Sequence, residues 1–396
     1  MPKKKNKLKI LFLYDFPLWG SGSGTFLRHL VYQLYKDGMR VAIAAPEKRR
    51  FNQRIKQYYI KLSQIPVFIA HPELKKAKKC SELRDREILD LYNAYIKAML
   101  KIVKDFEPDI IHVNHLSMIA WVARYIKSMT NVKFIITCHG SDLHFISQDR
   151  RYYLLTLDAL RGASQITAVS GDTRQWLIKM FGEEMSSKLR TVPGGIDIRL
   201  YPPRTSITSI NRRYKLAGKN VILFTGRLVK PKGVEYLVRA AKKINGEVYI
   251  LGEGPERKSL TRLARNLKLK NVHFLGYFSA KRMNIFRKFY YRANVFVAPS
   301  IWEEPLGLTI LEAMACKTPV VVTRKGGIPL AVKNGINGLF VKPRNASDIA
   351  EKVNRLLVNK KRRKRMGEEA RRIVKQKFTW DKIAKKFEYI YRKHAL

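Results

Sequence analysis

The sequence predicts an α/β protein made of two parallel-sheet domains, and three observations predict it. Short β-rich runs alternate with helical patterns along the whole chain, as parallel strands covered by helices require. Almost every run is followed by a glycine-containing or polar turn, and usually by a helix. At 396 residues the chain is too long for one ordinary core, and its 46% apolar residues are enough to bury two.

In chain order, strands are expected at 10–14, 41–44, 110–113, 134–138 and 166–169. The second half repeats the grammar at 221–225, 248–251, 272–274, 295–298 and 320–323, a repetition of architecture without repetition of sequence. Between the halves, Val192-Pro193-Gly194-Gly195-Ile196-Asp197 and Tyr201-Pro202-Pro203-Arg204-Thr205-Ser206 suit a linker, which puts the boundary near 203–215 and the domains at 1–205 and 206–376. After residue 345 the pattern is helical, through 349–358, 366–378 and 380–391, with Lys360-Lys361-Arg362-Arg363-Lys364-Arg365 as a solvated join between two helices. Residues 377–396 place Trp380, Ile383, Phe387 and Ile390 at helical spacing, so this helix must pack onto something.

Lys and Arg number 79 against 31 Asp and Glu, a formal net charge of +48. Such a surface attracts polyanions, whether nucleic acid, anionic lipid headgroups or an acidic polymer, unless it reflects a basic bias with no specific partner. Cys80, Cys138 and Cys316 are odd in number and widely spaced, which argues against a disulfide framework and for a cytoplasmic, reducing compartment. Lys3, Lys4, Lys5, Lys7 and Lys9 precede an apolar run that stops at Asp15, too short for a signal peptide, and no stretch is long enough to span a bilayer. Any membrane contact is expected to be peripheral.

In open parallel sheets, ligands bind beyond the carboxyl ends of the strands. The sharpest sign of chemistry there is the segment from Glu303 to Ala315. Glu304 and Glu312 bracket a Pro305-Leu306-Gly307 turn that opens an apolar helix. Gly307 would let a phosphate approach the amides of Leu308 and Thr309, and Glu312, one turn inside, could accept from two ribose hydroxyls. Arg227 and Lys232, flanked by Gly226 and Gly233 after a strand, look like a diphosphate clamp. Gly252 and Gly254, and Gly326 with Gly327, also follow strands. In the first half, Gly20, Gly22 and Gly24 with Ser23 follow the first strand, and His139, Gly140 and Asp142 follow the fourth. Cys138 and His139, adjacent at a strand end, point to opposite faces and cannot form a nucleophile and base pair. Neither a Cys or His metal spacing nor a Gly-Lys-Ser/Thr phosphate loop is present.

Taken together these residues resemble the retaining glycosyltransferases of family 4, which have the GT-B fold of two facing Rossmann-like domains. The resemblance covers Gly22-Ser23-Gly24 with Leu30, Leu34, Gly38 and Val41, then Asp109-Ile110-Ile111-His112-Val113, His139-Gly140-Ser141-Asp142, Ala168-Val169-Ser170 and Val192-Pro193-Gly194-Gly195-Ile196-Asp197. It continues through Gly226-Arg227-Leu228, Gly252-Glu253-Gly254-Pro255 and the Glu304 to Glu312 segment. It implies transfer of a sugar from a UDP- or GDP-linked donor to an acceptor hydroxyl, with retained configuration, no metal and no other cofactor. By resemblance, Gly22, Ser23 and Gly24 border the donor diphosphate and acceptor, and His139 contacts the donor sugar with Asp142 nearby. Arg227 and Lys232 neutralise the leaving diphosphate, Glu304 binds sugar hydroxyls, Glu312 holds the ribose, and the terminal helix crosses back onto the first domain.

Three positions depart from the family pattern. Leu330 stands where many relatives carry a carboxylate, Leu306 replaces a frequent aromatic, and Lys317 takes the place of a helix-ending glycine. Lys317 would cost about 1 kcal/mol if its backbone is left-handed. Residues 47–62 interleave Lys48, Arg49, Arg50, Arg54, Lys56 and Lys61 with Phe51, Tyr58, Tyr59 and Ile60, and would lie on an anionic inner leaflet or cap the core as a solvated helix. Two rival functions stand beside the transferase. A nicotinamide oxidoreductase would use Gly22 to Leu27 and Glu47 as its fingerprint, but has no use for Glu304, Glu312, Arg227 or Lys232. A nucleic-acid-binding protein rests on net charge alone, without a recognition module.

Overall fold

The computed structural model describes residues 7–68, 74, 76–279, 282–304 and 306–395. Lys3, Lys4, Lys5 and Pro305 lie outside the described residues. The chain forms two compact units, one running to Gly194 and resuming at Trp380, the other Gly195–Thr379. The linker expected at 203–215 therefore lies inside the second unit. Ile196 and Tyr201 are buried in that unit's core, the Ile196 amide donates to the Phe378 carbonyl at 2.7 Å, and the Arg371 guanidinium donates to the Tyr201 carbonyl at 2.7 Å. The Pro and Gly residues mark an irregular path, not a loose one.

The first unit holds a seven-stranded, all-parallel sheet in the order β3-β2-β1-β4-β5-β6-β7. Its strands are β1 Lys9–Leu13, β2 Arg40–Ala45, β3 Lys56–Tyr59, β4 Ile110–Val113, β5 Lys133–Cys138, β6 Gln165–Ala168 and β7 Leu189–Thr191. Alternation along β1 divides the core: Leu11 and Leu13 pack with helices Asp85–Phe106 and Met118–Thr130, whereas Ile10 and Phe12 pack with Gly22–Lys36 and Trp380–His394. The terminal helix thus belongs to the first unit. Its Trp380 ring stacks on His29 with centroids 5.4 Å apart, and Ile383 and Phe387 are fully buried. Tyr391 Oη bonds to His112 Nδ1 at 2.7 Å, His112 Nε2 to Thr137 Oγ1 at 2.7 Å, and Thr137 Oγ1 to Thr167 Oγ1 at 2.6 Å. This buried chain of polar groups satisfies every member and ties the helix to three strands.

The second unit holds a six-stranded, all-parallel sheet in the order β10-β9-β8-β11-β12-β13. These strands are β8 Val221–Thr225, β9 Glu247–Leu251, β10 Val272–Gly276, β11 Val295–Ala298, β12 Val320–Thr323 and β13 Gly338–Val341. The Lys360 to Arg365 run, expected as a join, is instead the start of helix Lys360–Lys377. The Asn359 side chain accepts from the Arg362 amide at 2.8 Å and caps it, and Arg363 donates to the Leu356 and Leu357 carbonyls that end the preceding helix.

Residues 47–62 form a loop and the edge strand β3, not a helix. Ile60 is buried, Phe51 packs on the core, and Tyr58 donates to Asp105, which leaves Tyr59 as the exposed aromatic of the segment. Among the described residues no helix is long and apolar enough to cross a membrane.

Candidate active site

In each sheet the strand order reverses around its first strand, with β1 between β2 and β4 and β8 between β9 and β11. That reversal opens a crevice at the carboxyl ends of the strands. The loop after β8 is pinned by Gly226 and Leu228, whose amides donate to the Leu251 and Glu253 carbonyls at 3.0 and 2.9 Å. It ends at Gly233, left-handed at φ +63°, where a Cβ would collide with the Pro299 carbonyl oxygen. The loops after β8 and β11 are therefore pressed together. The contact brings Lys232 Nζ within 2.6 Å of both Glu304 carboxylate oxygens, and Ser300 Oγ donates to the same carboxylate at 3.2 Å.

Glu304 is held from below by the turn after β12. The Gly327 amide donates to the Glu304 carbonyl at 2.7 Å, and a side chain on Gly326, at φ +53°, would strike that carbonyl. Glu303 pairs with Lys325 at 2.6 Å and accepts from the Gly326 amide at 2.5 Å. Glu303 and Lys325 were missed from sequence, because nothing local marks a partner more than twenty residues away, and Ser300 was missed because a lone serine after a strand carries no signal of its own.

Gly307, left-handed at φ +73°, begins helix Leu308–Ala315, and its missing Cβ would lie 3.5 Å from Glu304 Cγ. Leu308 and Thr309 are the first residues of this helix, so their amides have no intrahelical acceptor. One turn inside, Glu312 Oε2 accepts from Tyr290 Oη at 2.5 Å, and Tyr290 Oη also bonds to Thr225 Oγ1 at 2.7 Å. Burial raises the Glu312 pKa above the usual carboxylate value, and burial beside Glu312 pushes the Tyr290 phenol far up. Arg227 stands exposed at the start of the loop after β8. Gly252 and Gly254, expected to contact substrate, also meet a packing requirement. A Cβ on either would collide with a carbonyl oxygen of the loop after β8, of Gly226 and Leu228 respectively, so their identity is dictated by backbone packing that supports Arg227.

In the first unit, Ser21 caps helix Gly22–Lys36 by accepting from the Gly24 amide at 3.0 Å, and Tyr14 Oη bonds to Ser21 and Ser23 at 3.0 and 2.9 Å. A Cβ on Gly24 would lie 2.6 Å from the Leu18 carbonyl, so this glycine serves packing. A Cβ on Gly22 would meet nothing within 4 Å, so Gly22 is the glycine that opens onto free space.

His139 begins the turn after β5 and is half-buried. Its Nε2 lies 3.1 Å from Asn114 Oδ1, and its ring packs edge-on against Phe26 and His115. Burial, with His115 and His112 close by, drives its pKa well below the usual imidazole range, so the ring is neutral. The expected substrate contact of Asp142 is corrected by its surroundings. Asp142 is fully buried, and its two carboxylate oxygens accept from four amides, those of Leu116, His139, Gly140 and Leu143, at 2.9, 3.1, 2.7 and 3.0 Å. It holds the His139 turn instead of a ligand. Cys138 is buried, and burial raises its thiol pKa, which suits an inert core residue.

Residues 207–373 match the family described as Glycosyl transferases group 1, and residues 20–200 match Glycosyltransferase Family 4. The chain is similar to an uncharacterized glycosyltransferase of Methanocaldococcus jannaschii, 30% identical over 72% of this chain and 75% of that one. It is also similar to the N-acetyl-alpha-D-glucosaminyl L-malate synthase of Bacillus anthracis, 28% identical over 93% of each chain. Among solved structures, it is similar to sucrose-phosphate synthase from Thermosynechococcus elongatus, with a TM-score of 0.77, 22% identity and coverage of 98% of this chain and 99% of that one. The Anabaena protein HepE, solved in complex with UDP, gives a TM-score of 0.74 at 19% identity over 98% of this chain and 100% of that one.

Proposed function

This chain belongs to the group 1 glycosyltransferases, nucleotide-sugar-dependent transferases of GT-B fold, and from that premise we propose that it transfers its sugar to an acceptor hydroxyl with retention of configuration and without a metal. The observation that carries this reading is the Lys232–Glu304 pair, set beside the open start of helix Leu308–Ala315 with Glu312 one turn inside. Lys232, Arg227 and the amides of Leu308 and Thr309 take the donor diphosphate, Glu312 accepts from the ribose hydroxyls, and Glu304 accepts from the sugar. In the first unit, we assign neutral His139 to hydrogen-bond a sugar hydroxyl, and Gly22 and Ser23 to border a ligand.

The chemistry this arrangement suits is leaving-group stabilisation. As the bond from the anomeric carbon to the phosphate oxygen breaks, charge grows on the diphosphate and meets preorganised cations and helix amides. The acceptor oxygen forms the new bond on the same face and passes its proton to the departing phosphate oxygen, so no protein nucleophile is needed. Since HepE was solved with UDP-glucose, UDP-sugars are the first donors to test, with GDP-sugars second.

A thermal-shift panel of nucleotide sugars in EDTA tests this, because a true donor stabilises the fold by mass action. The proton coupling at the anomeric carbon of the product then reads retention. If no nucleotide sugar raises the melting temperature of the folded protein, the assignment falls.

The three free, buried cysteines fit the cytoplasm, and the charge of +48 supports peripheral contact with the anionic inner face of its membrane, where a lipid-linked acceptor would be met. Exposed Tyr59, with Lys48 Nζ 5.4 Å from its ring, is the point of contact in this reading. Co-sedimentation with anionic vesicles that is unchanged when Lys48, Arg50, Arg54 and Lys61 become glutamates would remove it.

A further inference from the structure

Two guanidinium groups in the first unit share one indole. Arg28 Cζ lies 3.7 Å from the Trp19 ring centroid, and Arg49 Cζ lies 4.0 Å from the same centroid. Trp19 comes from the loop after β1, Arg28 from the second turn of helix Gly22–Lys36, and Arg49 from the loop after β2. Cation–π contact holds both guanidinium groups against the indole, so two donor groups are placed before any ligand arrives.

The arrangement is electrostatically uphill as it stands. Burial, and then the charge of Arg49, lower the pKa of Arg28. Among the described residues no carboxylate forms an ion pair with either guanidinium, and Glu47 instead accepts from the Arg49 backbone amide at 2.8 Å. Among the described residues Arg28 donates only to the Gly24 carbonyl at 3.4 Å and the Thr25 hydroxyl at 3.1 Å, which anchors it on the first turn of the helix and leaves further N–H groups for a ligand. That turn begins at Gly22, which has open space before it.

We propose that Arg28 and Arg49, held against Trp19, form a binding site for a phosphate ester carried by the acceptor. A tetrahedral phosphate can accept from two forks that come from different elements, where a single planar carboxylate suits one. The donor diphosphate has its own cations, Lys232 and Arg227, in the second unit, so this anion is a second one. The word acceptor rests on the transferase reading, whereas the phosphate site does not.

The test is the indole N–H spectrum of 15N-labelled full-length protein, whose five tryptophans are assigned by Trp19→Phe. Inorganic phosphate, glycerol 3-phosphate and phosphatidylglycerol vesicles are titrated at constant ionic strength. The Trp19 resonance should move and saturate with a phosphate ester, and Arg49→Gln, at an exposed position, should weaken the response at least tenfold with the other four indoles unmoved. Saturation by glycerol 3-phosphate marks a soluble acceptor, and a response to vesicles alone marks a lipid headgroup. An equal movement with sodium chloride, no movement at all, or an unaltered response in Arg49→Gln overturns the site. UDP separates the two proposals. If UDP binds nowhere but Trp19 still answers phosphate esters, the donor reading fails and this site stands, whereas a Trp19 response abolished by saturating UDP would place the donor here and overturn the acceptor assignment.

Discussion

The Lys232 ammonium lies 2.6 Å from each oxygen of the Glu304 carboxylate, so the cation we assign to the diphosphate is held by an internal counter-charge. Lys232→Ala should lower kcat/KM on the order of a hundredfold or more, with Arg227→Ala adding to the loss. Glu304→Gln should part binding from turnover. With the carboxylate gone the ammonium is freer, so UDP affinity measured by calorimetry should rise several-fold while kcat falls. A double Arg227 and Lys232 variant with near-normal turnover would refute their assignment.

Glu312 carries a raised pKa because it is buried. The folded state therefore holds this proton more tightly than the unfolded one, so the stability linked to Glu312 is present below the unfolded value and lost as pH rises through the folded one. At neutral pH the charge is a cost. Glu312→Gln should raise the melting temperature by ~2–4 °C and weaken UDP about tenfold, two changes of opposite sign in the same protein.

His112, sealed between Tyr391 and Thr137, has its pKa lowered by burial to about 3 from the ordinary imidazole value of 6.5. Between those values the unfolded chain binds the extra proton, so stability is intact above the unfolded pKa and drains away as pH falls toward the folded one. The loss should reach about 2 kcal/mol near pH 5. Urea unfolding at neutral pH and near pH 5 reads it, and His112→Gln should flatten this part of the profile.

Lys317 has the left-handed backbone that its place at a helix end suggests, at φ +62°. Its ion pair with Glu368, 3.0 Å and partly exposed, contributes little. Lys317→Gly should therefore stabilise the protein by ~0.5–1 kcal/mol in a denaturant titration, with kcat and KM unchanged.

Strand runs were legible where both faces are buried, since Val, Ile, Leu and Phe crowd positions such as 110–113 and 320–323. Strands β3, β7 and β13 were not read, and all three are sheet edges. An edge needs fewer apolar residues, and Lys56-Gln57-Tyr58-Tyr59 and Leu189-Arg190-Thr191 carry little β signal. At the site, single residues in strong turns could be named from sequence. Their partners could not, because Glu304 with Lys232, Glu312 with Tyr290 and His139 with Asn114 are joined by sheet order rather than by spacing. The sequence also did not reveal that Gly24, Gly252 and Gly254 leave room for neighbouring backbone.

The helix that carries Trp380 and Tyr391 emerges from the ribosome only after the whole of Gly195–Thr379 has been made. Until then Phe12, Phe26 and Leu30 lack the side chains that cover them, and His112 lacks the hydroxyl that completes its pairing. The nascent chain must therefore carry an unfinished, sticky half through the synthesis of the other half, which is free to fold first. Translation speed and chaperone supply, more than equilibrium stability, would then set how much working protein a cell obtains.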